Sequence, residues 1–298
     1  MQGPERGDVS NLRVALVQLS ADADVPANLA RAVALTQEAA RSRPALIALP
    51  ETFLYRGPSA GFRESASDLP GPMTEPFAGL ARSAGAWMLL GSLAERSADP
   101  RRPYNTSVLM RPDGTVAARY RKRHLFDVSI DGGPSDRESA RTTPGTETVV
   151  AEVASGATDD RVPARATVSA TATASKGRVA ARLGLSICFD LRFPELYREL
   201  AAAGATILAV PANFTEATGR DHWEVLLRAR AIENGSFVIA PAQCGSGGAT
   251  PAHGRSMVVD PWGIVIGQAS DGPGVLVADL DLERVAAVRR QLPTEPSR

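Results

Sequence analysis

A chain of 298 residues, 44% of them hydrophobic, can bury a large core and lies at the long end of what one domain holds. Its 33 basic and 33 acidic residues cancel, which argues against a nucleic acid or an anionic membrane as a partner held by bulk charge. No stretch approaches the roughly 18 apolar residues of a membrane span, and Met1–Asn11 is polar, so a cytoplasmic protein acting on a small molecule or pairing with its own copy is expected. The two cysteines and three histidines are dispersed, which excludes a disulfide framework or a zinc site as an organising device.

The chain opens as β–α–β. Leu12–Leu19 reads as a strand, Asn28–Ala40 as an amphipathic helix with apolar Leu29, Val33 and Leu35, and the unbroken apolar run Pro44–Pro50 as a buried strand. Glu51 follows that run, just beyond the carboxyl end of a strand, where open α/β sheets keep their ligands. Gly57–Pro76 reads as a long surface connection and Thr74–Gly85 as a helix. Trp87–Leu93 is the next strand, and Thr106–Met110 and Val116–Tyr120 flank Pro112-Asp113-Gly114 as a hairpin. In the basic cluster Tyr120–Asp127, YRKRHLFD, the flanking aromatics point to at least one cation drawn inward. Ser135–Gly145 reads as a loop in which Glu138 is by default an exposed acid. Ala154–Lys176, rich in Ala, Thr and Ser without steady periodicity, reads as a mobile insertion or an irregular hairpin in a single domain spanning 1–298.

The segment Val179–Gly204 changes period at Cys188. Leu183, Leu185 and Ile187 form a short strand, and Phe193, Leu196, Tyr197 and Leu200 then recur at helical spacing. A thiol at such a corner is expected beside helix-start N–H groups that favour negative charge and lower its pKa. Strands at Thr206–Pro211, Ser236–Pro241 and Val275–Asp279, a hairpin of His253–Val259 with Gly263–Gln268, and helices at His222–Asn234 and Leu282–Gln291 complete the second half. Two similar runs of strand and helix predict α/β layers on two sheets.

An acid at Glu51, a cation at Lys122 and a thiol at Cys188 outline a catalytic set: nucleophile, base and oxyanion donor without histidine. LPETFLYRG, YRKRHLFDV, RES, GLSICFDLRFPEL, HWEVLLRARAIEN, PAQCG and GRSMVVDPWG, in that order, resemble the nitrilase superfamily of carbon–nitrogen hydrolases, most of all its Nit-type amidases of the deaminated glutathione and omega-amide branches. The resemblance implies a four-layer αββα sandwich, no cofactor, and a homodimer or higher homo-oligomer formed through the helix after Cys188 and the helix beginning near His222. It implies hydrolysis of a small carboxamide to carboxylate and ammonia through a Cys188 thioester. In that scheme Glu51 is base and then acid, Lys122 and the Phe189 N–H hold the oxyanion, and Glu138 orients Lys122. Arg192, Tyr55 and Asn213 are candidate substrate contacts. A nitrilase or N-carbamoyl hydrolase with the same triad, and a non-catalytic interaction protein, are the alternatives. Ala154–Lys176 is longer than the corresponding loop of these relatives.

Overall fold

The computed structural model describes residues 11–129, 135–154, 180–248 and 250–294. Apart from Ala154, the expected insertion at 154–176 lies outside the described residues. The first half runs β1 (Asn11–Gln18), α1 (Val25–Ala40), β2 (Leu46–Ala48), α2 (Ser59–Glu64), α3 (Glu75–Ala84), β3 (Trp87–Glu95), β4 (Tyr104–Met110), β5 (Val116–Arg121), β6 (Asp127–Ser129) and β7 (Ser135–Arg137). The second runs β8 (Val150–Ala154), β9 (Ala180–Leu185), α4 (Pro194–Ala202), β10 (Ile207–Ala209), α5 (Glu216–Asn234), β11 (Phe237–Ala240), β12 (Cys244–Gly245), β13 (Ala252–His253), β14 (Met257–Val259), β15 (Val265–Gln268), β16 (Gly274–Asp281) and α6 (Glu283–Gln291).

Two six-stranded sheets result, ordered β16-β1-β2-β3-β4-β5 and β15-β14-β11-β10-β9-β8. Each has three parallel strands at its centre, β1–β3 in one and β9–β11 in the other, flanked by antiparallel neighbours. The strand period of two divides the residues between two cores. Leu12, Val14 and Leu16 of β1 and Leu46 and Ala48 of β2 meet Leu183, Leu185 and Ile207 of the other sheet. Ala15, Val17 and Ile47 point the opposite way, onto Ala32 and Ala39 of α1 and Phe77 of α3. The fold is therefore an αββα sandwich, with α4 and α5 covering the second sheet through Leu196, Tyr197, Trp223 and Leu227.

Several sequence expectations shift. The side chain of Asp24 caps the Ala27 N–H, so α1 starts a turn earlier than its apolar pattern suggests. Its buried face is Asn28, Ala32, Thr36 and Ala39, while Leu29, Val33 and Leu35 lie at the flanks. Small residues let the helix approach the sheet closely, and Asn28 reaches through to donate to the Leu54 carbonyl in the turn after Glu51. The connection Gly57–Pro76 contains α2. α5 begins at Glu216 rather than His222, and β8 falls in a segment with no strong sequence signal. The last strand, β16, crosses back to pair with β1 along its whole length, Asn11 against Asp281 through Gln18 against Gly274. The end of the chain thus closes the first sheet.

Candidate active site

Glu51 stands just past β2, and its place depends on a glycine of the neighbouring strand. A Cβ on Gly91 of β3 would lie 1.9 Å from the Leu49 carbonyl oxygen and 2.5 Å from that of Pro50, so only glycine lets the strands close behind Glu51. Ser92 Oγ then accepts from the Thr52 N–H at 2.9 Å, and Thr52 takes a left-handed φ of 48°. Lys122 sits at the end of β5, its N–H bonded to the Asn105 carbonyl on β4. Its side chain is 3% exposed, with Nζ 2.8 Å from Glu51 Oε1 and 2.9 Å from Glu138 Oε2. Of the basic cluster this is the cation drawn inward; Arg121 turns to Glu95 and Arg123 to Glu199. Glu138 is buried, contrary to the default reading of an exposed loop acid, because a 3-10 turn at Glu138–Ala140 carries it inward, where it also accepts from the Phe126 N–H at 2.6 Å.

Cys188 opens a second 3-10 turn, Cys188–Arg192, with a left-handed φ of 45°, and its N–H bonds the Pro211 carbonyl at 2.9 Å. α4 starts only at Pro194, so the thiol is not at an α-helix N-terminus as the change of period suggested. The expected lowering of its pKa is reversed as well. Burial and then the Glu51 carboxylate push the Cys188 thiol well above its ordinary value, and Lys122 offsets them only in part. Burial alone would raise Glu51, but Lys122, a hydrogen bond from the thiol and the Asn213 N–H together hold its carboxyl below the usual value. Burial opposes the charge of Lys122, yet Glu138 and Glu51 keep its pKa well above normal. The resting state is a protonated thiol beside an ionised carboxylate, the pairing a base-activated nucleophile needs.

All eight residues singled out in the sequence line one cavity of about 150 Å³: Glu51, Tyr55, Lys122, Glu138, Cys188, Phe189, Arg192 and Asn213. The Asn213 backbone N–H donates to Glu51 Oε2 at 2.8 Å. Phe189 is the second residue of its turn, where an N–H has no intrahelical acceptor, and its ring packs edge-on against Phe126. Tyr55 donates its hydroxyl to the Pro58 carbonyl at 2.7 Å. Arg192 has His222 Nδ1 at 3.2 Å and its guanidinium 5.1 Å and 5.8 Å from the Phe214 and Phe189 ring centres. Among the described residues it has no carboxylate partner.

Two residues that hold this geometry were missed from the sequence. Asn105 is 1% exposed and donates Nδ2 to Glu51 Oε1 at 3.0 Å and to Glu138 Oε1 at 3.4 Å; an asparagine at the start of a largely buried strand was the available signal. Asp190, fully buried, accepts from the Ile187 N–H at 2.9 Å, the His124 N–H at 3.0 Å, the Tyr120 hydroxyl at 2.7 Å and, also at 2.7 Å, His124 Nδ1. It ties the strand bearing Lys122 to the turn bearing Cys188.

Residues 13–290 match the carbon–nitrogen hydrolase family. The deaminated glutathione amidase of Bos taurus is 41% identical over 286 residues, 94% of this chain and 80% of that protein. The omega-amidase of Mus musculus is 33% identical over 96% of this chain and 94% of its own. Among solved structures, the NitFhit protein of C. elegans superposes with a TM-score of 0.81 at 34% identity, over 96% of this chain but only 64% of that longer one. A variant of the amidase from Nesterenkonia sp. AN1, with a TM-score of 0.73 and 27% identity over 97% of each chain, carries the acetamide moiety of fluoroacetamide covalently on its active-site cysteine. From its matched sequence and its αββα sandwich, the chain belongs to the carbon–nitrogen hydrolase family and is an amidase.

Proposed function

We propose that the chain hydrolyses the ω-amide of a 2-oxo acid or a deaminated glutathione-type amide in two half-reactions on Cys188. The observation that carries this reading is a single cavity joining a thiol to an ionised carboxylate and an ammonium group. As sulfur attacks the amide carbon, the thiol proton passes to Glu51 and the carbonyl electron pair moves onto oxygen, with Lys122 Nζ and the Phe189 N–H as its donors. The oxyanion collapses, the C–N bond breaks and Glu51 returns the proton to nitrogen. Ammonia leaves from a primary amide, an amine from a substituted one. Water then attacks the thioester while Glu51 takes its proton, and the acid product and free thiol are restored. Glu138 orients Lys122 from its other side.

Arg192 supports the acyl class. An ω-amide of a 2-oxo acid carries a carboxylate at the end remote from the scissile bond, and a guanidinium without a carboxylate partner, among aromatic rings, gains most by meeting one. Relatives named for deaminated glutathione and omega-amides point the same way. Tyr55 and Asn213 are proposed as wall and backbone contacts of the acyl group. Nitriles and N-carbamoyl amino acids call on the same thiol and serve as controls.

The core shared by the two sheets supports one catalytic domain. A free nucleophilic thiol fits a reducing, cytoplasmic setting, and no described helix is long and apolar enough to cross a membrane. A second copy is proposed to cover α5, where Val225 and Ile232 are exposed and Ile232 adjoins the turn bearing the exposed Trp262 and Ile264. Sedimentation of the wild type and of Ile232→Glu checks this, with a monomeric wild type overturning it.

The deciding experiment measures carboxylate release together with ammonia or amine from 2-oxoglutaramate, deaminated glutathione, aliphatic amides, a nitrile and an N-carbamoyl amino acid. Turnover of an oxo-acid amide, abolished in Cys188→Ala and weakened through KM in Arg192→Met, is expected. Equal preference for neutral amides with Arg192→Met unaffected overturns the acyl assignment, and turnover by Cys188→Ala overturns the mechanism.

A further inference from the structure

The Glu51–Lys122–Glu138 cluster holds two carboxylates and one ammonium, all with side chains at most 9% exposed, so one negative charge is left without a cationic partner. Neutral donors must meet it. The Phe126 N–H serves Glu138 Oε2 and the Asn213 N–H serves Glu51 Oε2, and the neutral donor that meets the Oε1 atoms of both glutamates is a single side-chain amide, Asn105 Nδ2. Asn105 cannot turn its amide over, because that would aim its carbonyl at two carboxylates. Its Oδ1 therefore stays buried with no hydrogen-bond partner among the described residues, a cost tolerated only where the opposite end of the group is needed.

The consequence lies in which oxygen of Glu51 moves the proton. Oε1 receives both Lys122 Nζ, at 2.8 Å, and Asn105 Nδ2, at 3.0 Å, and is saturated with donors. Oε2 lies on the other side, where among the described residues it receives the Asn213 N–H, and that same N–H also bonds the Cys188 sulfur. We propose that Asn105 is a positioning residue that blocks Oε1 of Glu51, making Oε2 the atom that carries the proton between thiol, leaving nitrogen and water, and sets the pH above which Glu51 is available as a base. This rests on the reading of Glu51 as the base. The charged and titratable groups around Glu51 are Lys122, Glu138 and Cys188; changing Asn105 removes none of them, and Glu138 loses one donor along with Glu51.

The test compares Asn105→Ala, Asn105→Ser and Asn105→Asp with the wild type by two readouts: the pH dependence of kcat/KM on an amide that the wild type turns over, and the pH dependence of Cys188 alkylation by iodoacetamide, which needs no substrate. Losing a donor to a carboxylate raises its pKa, so in Ala and Ser the acid limb of both profiles moves up by about one pH unit, with kcat reduced and KM held. In Asp a third carboxylate moves it further. An acid limb unchanged in the folded variants, whatever their kcat, overturns the proposal. Should Ala fail to fold, Ser and Asp decide by the same criterion. If no amide is turned over, the substrate reading fails while alkylation still judges Asn105.

Discussion

Two buried carboxylates lie within a few residues of the catalytic groups, and they behave as opposites. Asp190 meets two backbone N–H groups, a hydroxyl and an imidazole, and has no face on the cavity. Glu51 is also buried but lines the cavity and accepts from the Cys188 thiol there, in a cluster where negative charge exceeds positive. The difference teaches that burial alone does not mark a reactive acid. A carboxylate whose lone pairs are all met by fixed donors is a brace; one left an open oxygen beside an exchangeable proton is a base.

The largest break in this comparison comes from the thiol. Cys188→Ala removes the proposed nucleophile, so turnover falls to background while the melting temperature stays within a few degrees; retained acylation by a mass shift would refute the assignment. Glu51→Gln keeps the shape but cannot take a proton, and a loss of about 100- to 10,000-fold in kcat is expected from steady-state rates. Because the Glu51 carboxyl is held below its ordinary value, it is ionised across the neutral range, and activity is lost as pH falls through that lowered pKa. A wild-type profile with its acid limb above the ordinary carboxylate range would contradict this sign. Lys122→Ala, which removes the proposed oxyanion donor, should lower kcat by about 100- to 1000-fold.

The brace answers in stability instead. Asp190→Ala leaves the Tyr120 hydroxyl, the His124 ring and two N–H groups without their acceptor, which should cost at least about 3 kcal/mol in denaturant unfolding. The smallest effect is expected of His124→Phe. It preserves the stack on Phe193, whose ring centre lies 3.8 Å away, and gives up one hydrogen bond, for about 1 kcal/mol and little change in kcat. A large catalytic loss in that variant with unchanged stability would move His124 from brace to chemistry.

What could be read in the sequence follows from what is local. Strand and helix periods, the hairpin at Pro112-Asp113-Gly114 and the motifs around Glu51, Lys122 and Cys188 are set by neighbours in the chain. So are a buried strand end that presents an acid and a basic cluster flanked by aromatics. The face that α1 buries was not legible, because Asn28 and Thr36 are buried for bonds to distant or backbone carbonyls that no hydrophobic pattern records. Nor was the pairing of β16 with β1, which joins segments more than 250 residues apart.

The sequence by itself determined the two α/β halves and the residue types of a thiol hydrolase. Tertiary structure alone decided how these residues act. It brought Glu138 inward, placed Cys188 six residues ahead of α4, raised the thiol where the chain pattern suggested lowering it, and set Asn105 across two carboxylates. The physical reason is that burial and the direction of a few hydrogen bonds, made between residues far apart in the chain, fix which group holds a proton.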